Sequence, residues 1–168
     1  MTTQLVIIAV GNPSRADDAL GPILLERISA QWPHLTTVVD FQLQVEHALD
    51  LQAADQVLFI DAAMGLEQPF RFSAITPQTD NALLSHALSP KAVLEVLQRI
   101  TGQAAPPSFL LAVRGSEFEL GQPLSEPATV ALQAAWQFIC PLLAQPDVEN
   151  WRRACTEPQS TVHWSVEP

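Results

Sequence analysis

Apolar runs of strand length alternate along this chain with segments of helical periodicity, and this order limits the fold more than any other feature. The run LVIIAV, within Gln4–Val10, is β-branched and uninterrupted, which is typical of a strand buried on both faces. The next segment carries Leu20, Leu24 and Ile28 at helical spacing and ends before Pro33. Strand, helix and strand in succession predict a mainly parallel sheet with helices on both faces.

Four further apolar runs complete the predicted fold, a three-layer α/β domain with a twisted five-stranded sheet. In chain order they are LTTVVDFQL, QVLFID, PFRFSAI and SFLLAVRG. A helix is predicted from Pro90, with Ser89 as its N-cap and Gly102 as its end, and the longest helix follows Ser125. A short helix is predicted over VEHALDLQAA, and its apolar side is formed by Val45, Leu49 and Ala53.

Length and composition indicate one folded domain. The chain has 168 residues, 48% of them hydrophobic, which is enough for a sizeable core. We expect the domain to span residues 1–145. Residues 146–168 are polar and contain several prolines, so we expect a loosely held tail. Trp151 and Trp164 are the side chains that could dock this tail on the domain.

Charge and cysteine usage exclude several classes of protein. A formal net charge of −10 argues against nucleic-acid binding, which depends on neutralising phosphates with Lys and Arg. The apolar N-terminus is too short for a membrane span and lacks the basic start of a signal peptide. The two cysteines, Cys140 and Cys155, form no dense framework, so we expect a reduced, cytoplasmic protein.

Acidic side chains and a histidine lie where strands of the predicted sheet end. Asp17 and Asp18 follow the first strand, Asp61 ends the third, and His86 precedes a helix. Each has an ordinary explanation, since acids cap helices and loop histidines are usually solvated. Two carboxylates and one imidazole also form a ligand set for a borderline divalent ion such as Zn, Ni, Mn or Fe. Because ligands bind at the carboxyl ends of parallel strands, Asp18 and Asp61 could share such a site.

Other catalytic signatures are missing from the sequence. The first loop has neither the GxGxxG pattern nor a P-loop ending, and no GxSxG elbow occurs. Cys140 lies in an apolar helix and is predicted to be a core residue rather than a nucleophile. The remaining histidines have no metal-binding spacing and are predicted to lie at the surface: His34, His47 and His163.

Three motifs in a fixed order resemble the hydrogenase maturation endopeptidases. They are GNPSRADDALG, FIDAAMG and SHALSP, and the resemblance covers roughly Leu5 to Leu143. GNPSRADDALGP with FQLQVEHALDL is most similar to the branch serving NAD-linked bidirectional NiFe hydrogenases. Members of this family remove a C-terminal peptide from the hydrogenase large subunit after nickel insertion. The resemblance implies that Asp18, Asp61 and His86 bind the metal.

The resemblance also implies the source of the nickel and the binding partner of the protein. Nickel would arrive already bound by the large-subunit precursor, and zinc or cadmium could replace it in vitro. The ion would dock that partner and polarise a carbonyl or activate water, although the sequence identifies no nucleophile. We expect substrate contacts at Arg15, Gln42, Gln44 and the AAMGLEQP loop, with no nucleic-acid or membrane partner and a monomeric protein.

Two other functions stay open on the sequence. A non-catalytic nickel-binding chaperone would use the same three ligands without shortening the subunit. A magnesium-dependent, phosphate-handling α/β domain would use Asp17 and Asp18 and would not need His86, because Mg²⁺ prefers oxygen ligands.

Overall fold

The computed structural model describes residues 3–80, 87–156 and 163–164. A single sheet forms the centre of the protein, with its main strands in the order β2-β1-β3-β5-β4. These strands are β1 (Leu5–Val10), β2 (Thr36–Asp40), β3 (Gln56–Met64), β4 (Phe70–Ile75) and β5 (Ser108–Arg114). The predicted five-stranded α/β architecture is confirmed.

Parallel pairing dominates the sheet. Strands β1, β2, β3 and β5 are parallel, and β4 runs antiparallel to β5. A short strand β6 (His163–Trp164) pairs antiparallel with the end of β3, at Ala63 and Met64. Because β1 pairs with β3 only as far as Ile60, the end of β3 extends beyond its neighbour and leaves room for this pairing.

Helices begin and end where their local chemistry predicts. The four α-helices are α1 (Leu20–Gln31), α2 (Pro90–Thr101), α3 (Glu126–Ala144) and α4 (Val148–Ala154). The side chains of Ser89 and Ser125 accept hydrogen bonds from the backbone N–H groups of Ala92 and Ala128, the third residues of α2 and α3. Gly102 ends α2 in the left-handed conformation, at φ 68°.

Two apolar layers cover the two faces of the sheet. On one face, Leu58 and Ile60 of β3 pack in a core with α1, α3 and α4. On the other face, Val57 and Phe59 pack against α2 and a 3-10 turn at Val45–Leu51. Alternate residues of a strand point to opposite faces, so the position of a residue in β3 decides which layer its side chain enters.

The chain beyond residue 145 contributes to the core. Trp151 of α4 is fully buried, and its indole Nε1 donates a hydrogen bond to the carbonyl of Leu142 at 2.9 Å. Its ring meets those of Phe72 and Phe109 edge to face. The packed structure therefore continues past residue 145, while the side chain of Trp164 lies outside the part of the chain that the structure describes.

Helix α3 is apolar and 19 residues long, so by length and composition it could cross a membrane. Core helices pass the same test. Here α3 packs against the sheet, because its buried side chains belong to the core formed with α1: Ala128, Ala131, Leu132, Ala135, Ile139, Leu142 and Leu143.

The short helix predicted over VEHALDLQAA is a 3-10 turn with a different buried side. Val45 and Leu49, predicted to share an apolar side, are 59% and 58% exposed, whereas Ala48 and Leu51 are buried. A 3-10 turn repeats every three residues rather than every 3.6, so Ala48 and Leu51 lie one above the other. The α-helical spacing assumed for this segment was wrong.

Candidate functional site

Asp18 lies in a 3-10 turn (Ala16–Ala19) that follows β1 and leads directly into α1. Gly11 makes the close approach of this turn possible: its φ is +147°, and a Cβ atom there would lie 2.0 Å from the carbonyl oxygen of Asp18. The carboxylate Oδ2 of Asp18 accepts a hydrogen bond from the backbone N–H of Asn12 at 2.8 Å. Asp18 is only 7% exposed.

Asp61 lies near the carboxyl end of β3 and is 6% exposed. By the alternation of the strand, its side chain shares the face of Val57 and Phe59, which α2 covers. Gly21 at the start of α1 packs against the ends of β1 and β3, since a Cβ there would lie 2.6 Å from the Val10 oxygen and 3.2 Å from the Ile60 oxygen. Asp18 and Asp61 therefore lie at the same carboxyl edge of the sheet, as the sequence predicted.

His86, the third predicted ligand, falls outside the described residues, and the residues on either side of its segment contact the chain near α2. Asp80 accepts hydrogen bonds from the backbone N–H and the hydroxyl of Ser89, at 2.9 and 2.6 Å. The N–H of Leu88 donates to the carbonyl of Leu43 at 3.0 Å. These bonds hold the segment's two ends at the start of α2, on the face that Asp61 shares.

Among the described residues, no group of three or more His, Cys, Asp or Glu side chains is arranged to hold a metal ion. The predicted site combines these two buried carboxylates, which offer oxygen atoms, with the nitrogen of His86. The metal-binding roles of Asp18, Asp61 and His86 stay predictions.

Asp17 is fully buried, and its carboxylate contacts the loop between β5 and α3. Its carboxylate accepts hydrogen bonds from the backbone N–H groups of Ser116, Glu117 and Ser125 and from the Ser125 hydroxyl. Burial by itself raises the pKa of Asp17, but the hydrogen bonds from these groups outweigh it, and the pKa lies below its usual value. Asp17 therefore acts on the geometry of the loop, which separates its role from that of Asp18.

The three predicted substrate-contact side chains surround this edge of the sheet. Arg15 is half-buried, and its Nε donates to the carbonyl of Phe118 at 3.2 Å, so it also holds the loop after β5. Gln42 and Gln44 are half-buried beyond the end of β2. Their contact with substrate stays a prediction.

His47, predicted to lie at the surface, is buried with 3% of its surface exposed. Its Nδ1 accepts a hydrogen bond from the backbone N–H of Gln44 at 2.8 Å, and its Nε2 lies 3.3 Å from Oδ2 of Asp40. The ring thereby joins the end of β2 to the 3-10 turn at Val45–Leu51. The sequence signal was the three-residue spacing from Gln44, at which a side chain bonds back to the N-cap N–H.

Neither cysteine is activated as a nucleophile. Cys140 and Cys155 are both free thiols, and burial raises the pKa of each. A raised pKa keeps the sulfur protonated near neutral pH, and the thiol form is the poor nucleophile.

No protein-family model matches this sequence, and no curated protein matches it significantly. Solved structures do match. The NiFe hydrogenase maturation protease HycI from Thermococcus kodakarensis superposes with a TM-score of 0.65 at 22% identity, over 85% of this chain and 94% of that chain. The hydrogenase maturating endopeptidase HybD from Escherichia coli gives 0.65 at 19% identity, over 86% and 94%.

This chain has the fold of the hydrogenase maturation proteases. A third structure, the endopeptidase HycI from Escherichia coli, gives a TM-score of 0.59 at 19% identity, over 84% of this chain and 92% of that one. These three matches cover at least 84% of this chain and at least 92% of each solved structure, so the likeness concerns the fold as a whole.

Proposed function

We propose that this protein is an endopeptidase that removes the C-terminal extension of a NiFe hydrogenase large subunit after nickel insertion. One observation carries the proposal: two nearly buried carboxylates, Asp18 and Asp61, lie at the same carboxyl edge of a sheet whose fold is that of HycI and HybD. Structures named as hydrogenase maturation proteases support the activity, and the sequence motifs at these strand ends support the site.

Nickel enters this proposal as part of the substrate. Two carboxylates and the imidazole of His86 would complete the coordination of an ion that the precursor already holds. The ion would dock the unprocessed subunit and bring its C-terminal segment to the edge of the sheet. A precursor without nickel would lack this bridge, so cleavage would report that the metal has been loaded.

We further propose that the partner is the precursor of an NAD-linked bidirectional hydrogenase, and that the protein acts as a cytoplasmic monomer. The motifs GNPSRADDALGP and FQLQVEHALDL support this branch. Incubation with nickel-loaded precursors of two hydrogenase types, followed by intact-mass spectrometry, tests the choice of partner. Equal cleavage of both would contradict it.

The activity itself is tested by intact-mass spectrometry of a nickel-loaded large-subunit precursor before and after incubation with the protein. We expect a shortened subunit with the wild type, and an unchanged subunit with Asp61→Asn, with His86→Ala or with nickel-free precursor. Asp50→Asn, an exposed acid in the 3-10 turn, is the matched control and should leave cleavage intact. A stable complex with no shortening would identify a chaperone and overturn the proposal.

The metal site has its own test. A structure soaked with Ni²⁺, Zn²⁺ or Cd²⁺ should show one ion within about 2.0–2.5 Å of all three ligand side chains. An ion bound by Asp17 and Asp18 without His86 would favour magnesium-dependent phosphate chemistry instead.

A further inference from the structure

Arg71 of β4 lies in one row of the sheet with Asp61. Asp61 pairs with Ala112 of β5, and Ala112 pairs with Arg71, so the three residues follow one another across three strands. Neighbouring strands lie about 4.8 Å apart, which places the Cα atoms of Asp61 and Arg71 about 10 Å from each other.

Both side chains rise from the same face of the sheet. Phe72 of β4 packs in the core with α1 and α3, whereas Ile75 packs with α2 on the other face. Arg71 is an even number of residues from Ile75 and therefore shares its face, which is also the face of Asp61. Only the methyl group of Ala112 stands between the two side chains in this row.

Arg71 has one buried, unsatisfied side-chain nitrogen and no carboxylate partner among the described residues. This nitrogen is Nε, which is enclosed by protein. By contrast, Arg99 and Arg152 pair with Glu95 and Glu149. An unsatisfied donor is costly to keep, so negative charge that develops beside it during a reaction is stabilised there.

We propose that Arg71 donates a hydrogen bond to the carbonyl oxygen of the scissile peptide bond and stabilises the oxyanion that forms there, a role that rests on the proposed endopeptidase function. A metal-bearing substrate segment anchored at Asp61 would pass over Ala112, within reach of the long Arg71 side chain. A guanidinium in a partly water-excluded site stabilises such charge more strongly than it would in water.

The chemical step that Arg71 serves is hydrolysis by one water molecule. The water oxygen bonds to the carbonyl carbon, and the π electron pair moves onto the carbonyl oxygen, which becomes the oxyanion facing Arg71. When that pair re-forms the carbonyl, the C–N bond breaks and its electrons leave with the nitrogen. The nitrogen takes up the proton that the water has lost, which yields a carboxylic acid terminus and an amine.

The test is a time course of precursor cleavage by intact-mass spectrometry, giving kcat and KM separately. For Arg71→Gln we expect kcat to fall by about 10²–10³-fold with little change in KM, because the interaction is made in the transition state. Arg71→Lys should recover part of the loss, since it keeps the charge without the planar fork. Added guanidinium should partly rescue Arg71→Ala.

The matched control is Arg99→Gln, which removes the same charge from an exposed, paired site on α2 and should leave kcat unchanged. Urea unfolding should show Arg71→Gln and Arg71→Met folded, since Nε has no partner to lose. A kcat for Arg71→Gln equal to that of Arg99→Gln would overturn the oxyanion role, as would an increase in KM alone. Failure of the wild type to cleave would instead count against the endopeptidase function itself.

Discussion

Asp17 and Ser125 are joined by two hydrogen bonds across 108 residues of chain: Oδ1 accepts the backbone N–H of Ser125 at 2.8 Å, and Oδ2 accepts its hydroxyl at 2.7 Å. The same Ser125 hydroxyl oxygen accepts the N–H of Ala128 and caps α3. A buried carboxylate thus ties the turn that carries Asp18 to the start of the longest helix. The two adjacent acids thus have different partners: Asp17 bonds to the start of α3, whereas Asp18 accepts the N–H of Asn12 in the loop after β1.

Replacing Asp17 with Asn should destabilise the protein by about 2–4 kcal/mol. The carboxylate accepts four hydrogen bonds through both oxygens, and the amide of Asn would present N–H donors to some of the same backbone donors. Urea unfolding measures this, with Asp50→Asn as the exposed control. Cleavage by folded Asp17→Asn should be reduced less than that by Asp61→Asn, and equal loss would show that Asp17 also serves the site.

The stability that Asp17 contributes should decrease as the pH is lowered. Its pKa is lower in the folded protein than the usual value of 3.8, so the contribution is complete above the unfolded pKa and is lost as the pH falls through the folded pKa. The difference in unfolding free energy between the wild type and Asp17→Asn should be constant above about pH 5 and narrow below about pH 4. A difference that widened on acidification would contradict the assignment.

Gly11→Ala should displace Asp18 and cost about 3 kcal/mol or more in unfolding free energy. The new methyl group would lie 2.0 Å from the Asp18 carbonyl oxygen, in backbone that cannot move aside cheaply. Gly102→Ala is the control, since its φ is also positive but nothing lies within 4 Å, and it should cost only about 1–2 kcal/mol. Nickel titration of folded Gly11→Ala should show weaker binding. Equal losses of unfolding free energy for the two variants would contradict the close contact between Gly11 and the Asp18 carbonyl.

Gln44→Ala should weaken cleavage of the cognate precursor without changing nickel binding by the isolated protein. The Gln44 backbone N–H stays bonded to His47, so the substitution removes only the half-buried side chain. Its amide can donate to and accept from an extended peptide. The control is the exposed Gln52→Ala. If nickel affinity falls while precursor recognition does not, Gln44 supports the metal site instead.

His47→Ala should destabilise the protein by about 1–3 kcal/mol, since it leaves the Gln44 N–H without its acceptor. His47→Asn should lose less unfolding free energy, because the amide oxygen of Asn can lie near the position of Nδ1 and accept the same hydrogen bond. Urea unfolding of both variants measures the difference. Because Nδ1 is the acceptor, the neutral ring carries its proton on Nε2, toward Asp40, which ¹⁵N chemical shifts can verify. An unchanged unfolding free energy for His47→Ala would show that the His47 side chain does not stabilise the turn.

Local sequence determined the secondary structure and the type of sheet in this protein. Uninterrupted apolar runs predicted the strands, Ser89 and Ser125 predicted where helices begin, and the alternation of strands with helices predicted a parallel sheet. That order also places Asp18 and Asp61 at one edge, because parallel strands all end on the same side. These properties depend on neighbours within a few residues, or on the chirality and reach of short connections.

Only the tertiary structure showed which groups Asp17 binds, since its partners lie about a hundred residues away along the chain. The burial of Ala48 and Leu51 in place of Val45 and Leu49 depends on a 3-10 rather than an α-helical period. The row that joins Asp61 to Arg71 depends on an antiparallel register between β4 and β5. Shifting that register by one residue would turn Arg71 to the opposite face, and the register is set by how all the strands pack together, which no short stretch of sequence encodes.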